Sequence, residues 1–183
     1  VSGARQGRGP PSNRRAGEGE GLHIAQARLG PDRIHHAMRA VGMAERALAL
    51  MVDRAKSRVA FGKHLSEQGV VGDLIAQSRI DIDQARLLVL KTAWLIDQYG
   101  AKGARTEIAE IKVAAPAMAT AVIDRASEVF GGAGGSDATP LSYFYAWAPS
   151  LPTADCPAAA PRPPPPMARL QTQRPNRRRC QSD

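Results

Sequence analysis

The chain has 183 residues, 43% of them apolar, enough for one domain with a buried core. Its formal charge of +8 sits at the ends: residues 1–17 hold four Arg and no acid, residues 149–183 hold six Arg against Asp155 and Asp183, and the stretch between is neutral. A neutral middle lacks the basic field that holds phosphate backbones, which argues against nucleic-acid binding, and Cys156 and Cys180, both in the Pro/Arg-rich end, have no partners at metal or disulfide-framework spacing.

No apolar run approaches the roughly 18 residues of a membrane span, and no apolar segment follows the arginines at the start. The expectation is a soluble, cytoplasmic protein without a signal peptide. The Gly and Pro content of VSGARQGRGPPSNRRAG also opposes the amphipathic helix of a transit peptide.

Three long helices are predicted in chain order. From Asp32 to about Val59, apolar residues recur at Ala37, Val41, Ala44, Leu48, Met51 and Ala55, in steps of four and three that align them on one face. After a polar break at Ser66–Gly69, a second stripe runs through Val71, Leu74, Ile75, Ser78, Ile82, Ala85, Val89, Ala93 and Ile96 to a C-terminal glycine, Gly100. Asp73, Asp81, Asp83 and Arg86 take its solvated side. A third begins near Thr106, passes Ile108, Ile111, Ala115, Met118, Val122, Ala126 and Val129, and stops at Gly131-Gly132. Pro116 lies inside it and should kink it unless neighbours hold the freed carbonyl. A shorter helix, Leu141 to about Ala148, follows.

Long helices joined by short connections pack as antiparallel neighbours, so the fold class is all-α, an up-and-down bundle. Three helices leave it incomplete, and a fourth long helix or a partner chain is needed to close it. The domain reading is a tail over 1–19, a bundle over 20–148 and a second tail over 149–183. Both tails are expected to be disordered, because their composition offers too few apolar side chains to offset ordering entropy.

Two segments stand apart from a plain bundle. In RVAFGKHL, Arg58 to Leu65, a Phe-Gly pair interrupts the helical pattern beside two cations; a helix C-cap with Lys63 and His64 near the dipole's negative end is the simplest account. In EVFGGAGGSDATPL, Glu128 to Leu141, four glycines follow a helix and let the backbone approach a ligand or another chain. That loop lacks the Gly-Lys-Ser/Thr ending of a phosphate-binding loop and does not open a helix after a strand. His35 and His36 are adjacent, hence on different helix faces, and no third ligand sits at zinc spacing, so no metal site is expected. Trp94 and Trp147 are expected to be packing residues.

In this order and spacing the segments LGPDRIHHAMRAVGMAERAL, RAKSRVAFGKHL, SRIDIDQARLLVLKTAWLID, EIAEIKVAAPAMA and FGGAGG resemble the C-terminal helical domain of the acyl-CoA dehydrogenases. The resemblance runs from about Glu20 to Ala148 and is greatest with the subgroup whose eukaryotic members can carry a fused kinase-like domain. It implies a fragment of a homo-oligomeric flavoenzyme, dimer or tetramer, that moves two hydrogens from the α and β carbons of an acyl-CoA thioester, with a hydride going to FAD.

By that resemblance Arg58 matches the arginine that reaches the FAD pyrophosphate of a neighbouring subunit, a contact suited to a guanidinium. Phe61 matches the aromatic of the same motif, and Ala60 stands where many members carry a hydroxyl. Gly131, Gly132 and Gly134 match the loop that passes the dinucleotide at close range. Glu128 replaces a frequent Gln and is expected to point away or to bind sugar hydroxyls. Arg33 matches an arginine on the acyl-CoA side.

The family's catalytic carboxylate falls on Asp155, in Ala154-Asp155-Cys156, but the Gly expected after it is Cys156 and prolines at 149, 152 and 157 replace helical residues. At about 3 kcal/mol for each proline in a helix interior, the segment cannot keep the family geometry. The alternative reading is a catalytically inactive helical scaffold derived from the family.

Overall fold

The computed structural model describes residues 17, 19–151 and 153. Most of both predicted tails, with Asp155 and the two cysteines, lies outside the described residues, but the start of the second is described: Pro149 and Ser150 belong to a 3-10 turn and Leu151 is buried. The order is α1 (Gly21–Ser57), β1 (Val59–Ala60), β2 (Lys63–His64), a 3-10 turn (Leu65–Glu67), α2 (Gly69–Gly103), α3 (Arg105–Phe130), a 3-10 turn (Gly131–Gly135) and α4 (Leu141–Trp147), followed by a last 3-10 turn (Ala148–Ser150).

The apolar stripes become the core as expected: Ala37, Val41, Ala44, Leu48, Met51 and Ala55 of α1 are buried with Ile82, Ala85 and Val89 of α2 and Ile111, Ala115, Met118, Val122 and Ala126 of α3. The core cluster is rich in alanine, with Ala37, Ala40, Ala44 and Ala47 of α1 and Ala115, Ala119 and Ala126 of α3, and short side chains let helix backbones approach closely. The buried hydroxyls of Ser78 and Thr92 donate to Leu74 O (2.7 Å) and Leu88 O (2.8 Å), so neither is an unmet polar group in the core.

The ends differ from the sequence pattern in detail. Helix α1 starts at Gly21, before the apolar stripe, and stops at Ser57. The regular path of α2 breaks at Gly100, as the glycine predicts, with φ of 71° and ψ of 167°, and a short further turn beyond the kink reaches Gly103. Pro116 is buried within an unbroken α3, with Thr120 Oγ1 donating to the Pro116 carbonyl at 3.0 Å.

Ion pairs cross the helices. Arg79 of α2 grips Glu45 of α1 through two bonds, Nη1 to Oε2 (3.0 Å) and Nη2 to Oε1 (2.7 Å), and Arg86 donates to Oε1 of the same carboxylate. Arg125 of α3 donates to Asp81 of α2 at 2.7 Å. Asp81 and Arg86, expected on the solvated side, therefore link helices. Hydrogen bonding from Arg79 holds the Glu45 carboxyl below the usual carboxylate range, outweighing partial burial, with Arg86 adding to the effect.

No fourth long helix appears among the described residues. Helix α4 has seven residues, and Leu141, Ala148 and Leu151, spaced seven and three apart, are buried against the three-helix core. No described helix is long and apolar enough to cross a membrane.

Candidate functional site

The segment after α1 is a hairpin rather than a simple cap. Arg58 ends the helix, its N–H donating to Arg54 O at 2.9 Å, while its carbonyl accepts Leu65 N–H at 3.0 Å. Val59 then pairs with His64 and Ala60 with Lys63 in two antiparallel two-residue strands. The two residues between them both have positive φ, Phe61 at 56° and Gly62 at 81°. Two left-handed residues are the signature of a type I′ turn, which matches strand twist and favours Asn-Gly or Gly-Gly. Phenylalanine at the first position costs about 1 kcal/mol or more.

Nothing among the described residues offsets that cost. Phe61 is 96% exposed, so its ring buries almost no surface, and Arg58 beside it is exposed as well. Beyond the hairpin the chain is held firmly: His64 N–H donates to Glu67 Oε1 (3.2 Å) and Lys63 Nζ to Glu67 O (3.4 Å).

The glycine loop lies at the same end of the bundle. The link is Arg54, whose guanidinium sits 5.3 Å from the ring centroid of Phe130, the last residue of α3. Gly131 follows with φ of 65°. The four glycines divide by environment. Gly134 is pressed onto α3, where a Cβ would fall 2.5 Å from Ser127 O and 2.8 Å from Ser127 Cα. Gly131, Gly132 and Gly135 are exposed, with open space around their Cβ positions. The loop is thus anchored through one glycine and presents bare backbone through the others. Glu128 is also exposed.

Arg33 lies elsewhere. It lines a shallow open depression with His36, Ala37, Ile111, Lys112, Pro116 and Leu151, and its Nε is buried without a hydrogen-bond partner among the described residues. Twenty-five positions of α1 separate Arg33 from Arg58, about 37 Å at 1.5 Å per residue. The candidate cofactor residues Arg58, Phe61, Glu128, Gly131 and Gly132 therefore gather at one end of the bundle, Gly134 holds their loop in place, and Arg33 stands at the other end. Among the described residues no three His, Cys, Asp or Glu side chains come together.

Residues 19–155 fit the acyl-CoA dehydrogenase C-terminal domain. The chain belongs to the acyl-CoA dehydrogenase family. It is 62% identical over 138 residues to FadE2 of Mycobacterium tuberculosis, named as a probable acyl-CoA dehydrogenase, a match covering 75% of this chain and 34% of that protein. It is 55% identical over 148 residues to mouse acyl-CoA dehydrogenase family member 10, covering 81% of this chain and 14% of that one. Among solved structures, butyryl-CoA dehydrogenase from Megasphaera elsdenii superposes with a TM-score of 0.74 at 32% identity, over 80% of this chain and 38% of that one. The chain thus spans 14% to 38% of the length of these relatives.

Two site features escape sequence reading. Arg54 lies one helical turn before Arg58 and looks like a solvated cation until α3 brings Phe130 beneath it. The anchoring role of Gly134, as against its open neighbours, depends on a backbone approach that composition does not encode.

Proposed function

We infer that this chain supplies the part of an acyl-CoA dehydrogenase that grips the dinucleotide of FAD and faces a neighbouring subunit, within an enzyme that desaturates acyl-CoA thioesters. The observation that carries the reading is Phe61, held at positive φ and 96% exposed with no compensating contact among the described residues. Backbone strain of this kind persists at ligand clamps, where the return comes from binding.

FAD, when bound, accepts the hydride leaving the β carbon of the acyl chain. This chain's own residues bind and orient. Arg58 presents paired N–H donors in a planar fork that fits a pyrophosphate oxygen pair. Phe61 offers a flat apolar face to a planar ring or its ribose. Gly131 and Gly132, without side chains, allow backbone N–H groups to approach phosphate within hydrogen-bond distance. Glu128, exposed one turn before the loop, suits sugar hydroxyls as an acceptor and opposes phosphate.

The separation of about 37 Å along α1 between Arg33 and Arg58, at 1.5 Å per residue, supports a composite arrangement, in which the hairpin end of one copy serves a cofactor held mainly by a neighbour while Arg33 serves the acyl-CoA side of its own copy. The unpartnered Nε of Arg33 fits a residue awaiting an anionic or carbonyl partner. Asp155 is the carboxylate proposed for proton abstraction, on sequence position alone.

The test is a graft of residues 20–148 into a complete family member, with and without Arg58→Ala, followed by the flavin-to-protein ratio from visible absorbance. Loss of a charge-assisted phosphate contact of about 1.5–3 kcal/mol should weaken flavin binding roughly ten- to a hundredfold. Equal flavin content in the two grafts would remove Arg58 from the site and favour the scaffold reading.

A further inference from the structure

The hairpin and the glycine loop are tied to one turn of α1. Arg54 O accepts the N–H of Arg58, which closes that helix, and the Arg54 guanidinium lies 5.3 Å from the ring centroid of Phe130, which closes α3. Phe130 leads directly into the loop, and Gly134 presses the loop's far side onto Ser127. The exposed pair Gly131-Gly132 is therefore held on both sides, by a cation–π contact before it and a close backbone approach after it.

The charge on Arg54 is placed unlike the other helix arginines. Arg79, Arg86 and Arg125 each meet a carboxylate across the bundle, whereas Arg54 has no ion-pair partner among the described residues, and its Nε is buried there without a hydrogen bond. Helix α1 stops at Ser57 and α3 at Phe130, so the negative ends of two helix dipoles lie at this end of the bundle. The last turn of α3 holds no basic residue and carries Glu128. Arg54 brings from α1 the cation that α3 lacks, and with no carboxylate to cancel it that charge adds to the charge of Arg58.

We propose that Arg54 is a positioning residue for the dinucleotide: its guanidinium, seated on Phe130, fixes the glycine loop against the turn that carries Arg58, so that loop and arginine serve one diphosphate. The proposal rests on the flavin reading above and adds a residue that reading does not use. Arg54 acts through Phe130 rather than by touching the cofactor. Lysine at this position keeps a cation over the ring, whereas leucine keeps only an apolar stem, so the two substitutions separate charge on the ring from side-chain bulk.

The experiment has two arms. In the full 183-residue chain, without flavin, Arg54→Leu should lower the NMR order parameters of Gly131 and Gly132 from roughly 0.85 toward 0.6, while the core amides of Ile82 and Ile123 keep their exchange protection. In the graft described above, FAD affinity is titrated by flavin fluorescence. Arg54→Leu and Phe130→Leu should each weaken binding about three- to tenfold, and the double variant should weaken it no more than the stronger single, because both remove one contact. Arg54→Lys should bind within about threefold of the parent. The Arg54 variants suffice if Phe130→Leu does not fold. Unchanged order parameters at Gly131 and Gly132, multiplying effects in the double variant, or no rescue by lysine overturns the proposal. Affinity lost with Arg58→Ala but kept with Arg54→Leu overturns it alone, whereas affinity kept with Arg58→Ala removes the flavin reading and the proposal with it.

Discussion

The middle of the bundle and its hairpin end obey opposite rules. In the middle, stripes of alanine and branched apolar residues are buried, the buried hydroxyls are satisfied, and charged residues on three helices find one another: Glu45 with Arg79 and Arg86, Asp81 with Arg125. At the hairpin end an aromatic residue sits at positive φ in solvent, a glycine loop exposes bare backbone, and Arg58 has no ion-pair partner among the described residues. Local rules that are broken without compensation inside a chain mark where it expects contact with something else. The middle is built for stability and the end for binding. Substitutions in the two regions should therefore separate stability from flavin retention.

The largest effect is expected in the middle. Ile123 is fully buried between α3 and its neighbours, so Ile123→Ala should cost about 2–5 kcal/mol from lost burial and a residual cavity. Chemical denaturation of the isolated chain checks this; a cost within a few tenths would mean that the α1–α3 seam is not the core.

Gly134 tests the join between the regions. With Ser127 O only 2.5 Å from the position of its missing Cβ, Gly134→Ala must displace the loop or the last turn of α3, at about 1–3 kcal/mol. The same change at Gly132, which has open space around it, should leave stability nearly unaltered. Flavin retention in the graft should fall for Gly134→Ala through misplacement of the loop. Similar unfolding midpoints for the two variants would show that the loop is not anchored on Ser127 through Gly134.

Phe61 gives the sharpest contrast, because the two readouts should move in opposite directions. Phe61→Asn keeps the turn and relieves the left-handed strain, so the isolated chain should gain about 0.5–1 kcal/mol, while the graft loses flavin affinity. A variant that is both less stable and unchanged in flavin would make Phe61 a structural residue and erase the distinction between the regions.

What could be read from the sequence follows from how far apart the interacting residues are. The helices were legible because a stripe such as Ala37, Val41, Ala44, Leu48 repeats within a few turns, and the site residues carried by the family resemblance are local motifs. The hairpin was hidden because Phe-Gly is not the pair that a type I′ turn prefers, so Arg58–Leu65 looks like a helix cap. The charge clamp was hidden because Glu45 lies 34 and 41 positions from Arg79 and Arg86, and only packing of α1 on α2 brings them together. For the same reason Asp81 and Arg86, on the polar side of an isolated helix, were expected to face water.

The smallest expected effect concerns that clamp and depends on pH. Glu45 is held below the usual carboxylate range by Arg79 and Arg86, so its charged form is favoured in the folded state. A depressed carboxyl contributes stability that is complete above its unfolded value, near pH 4.3, and is lost as pH falls through the lower folded value. Both arginines and Glu45 are roughly a third or more exposed, so screening limits the gain to about 1 kcal/mol or less at neutral pH. Glu45→Gln should remove that increment at pH 7, and the difference from wild type should shrink below pH 4, where wild type has itself lost the charge. Raising the salt concentration at pH 7 should narrow the same gap, because the bonds are partly solvated. A difference that persists undiminished at pH 3 would mean that Glu45 acts through packing of its side chain, and that the middle of the bundle owes nothing measurable to its ion pairs.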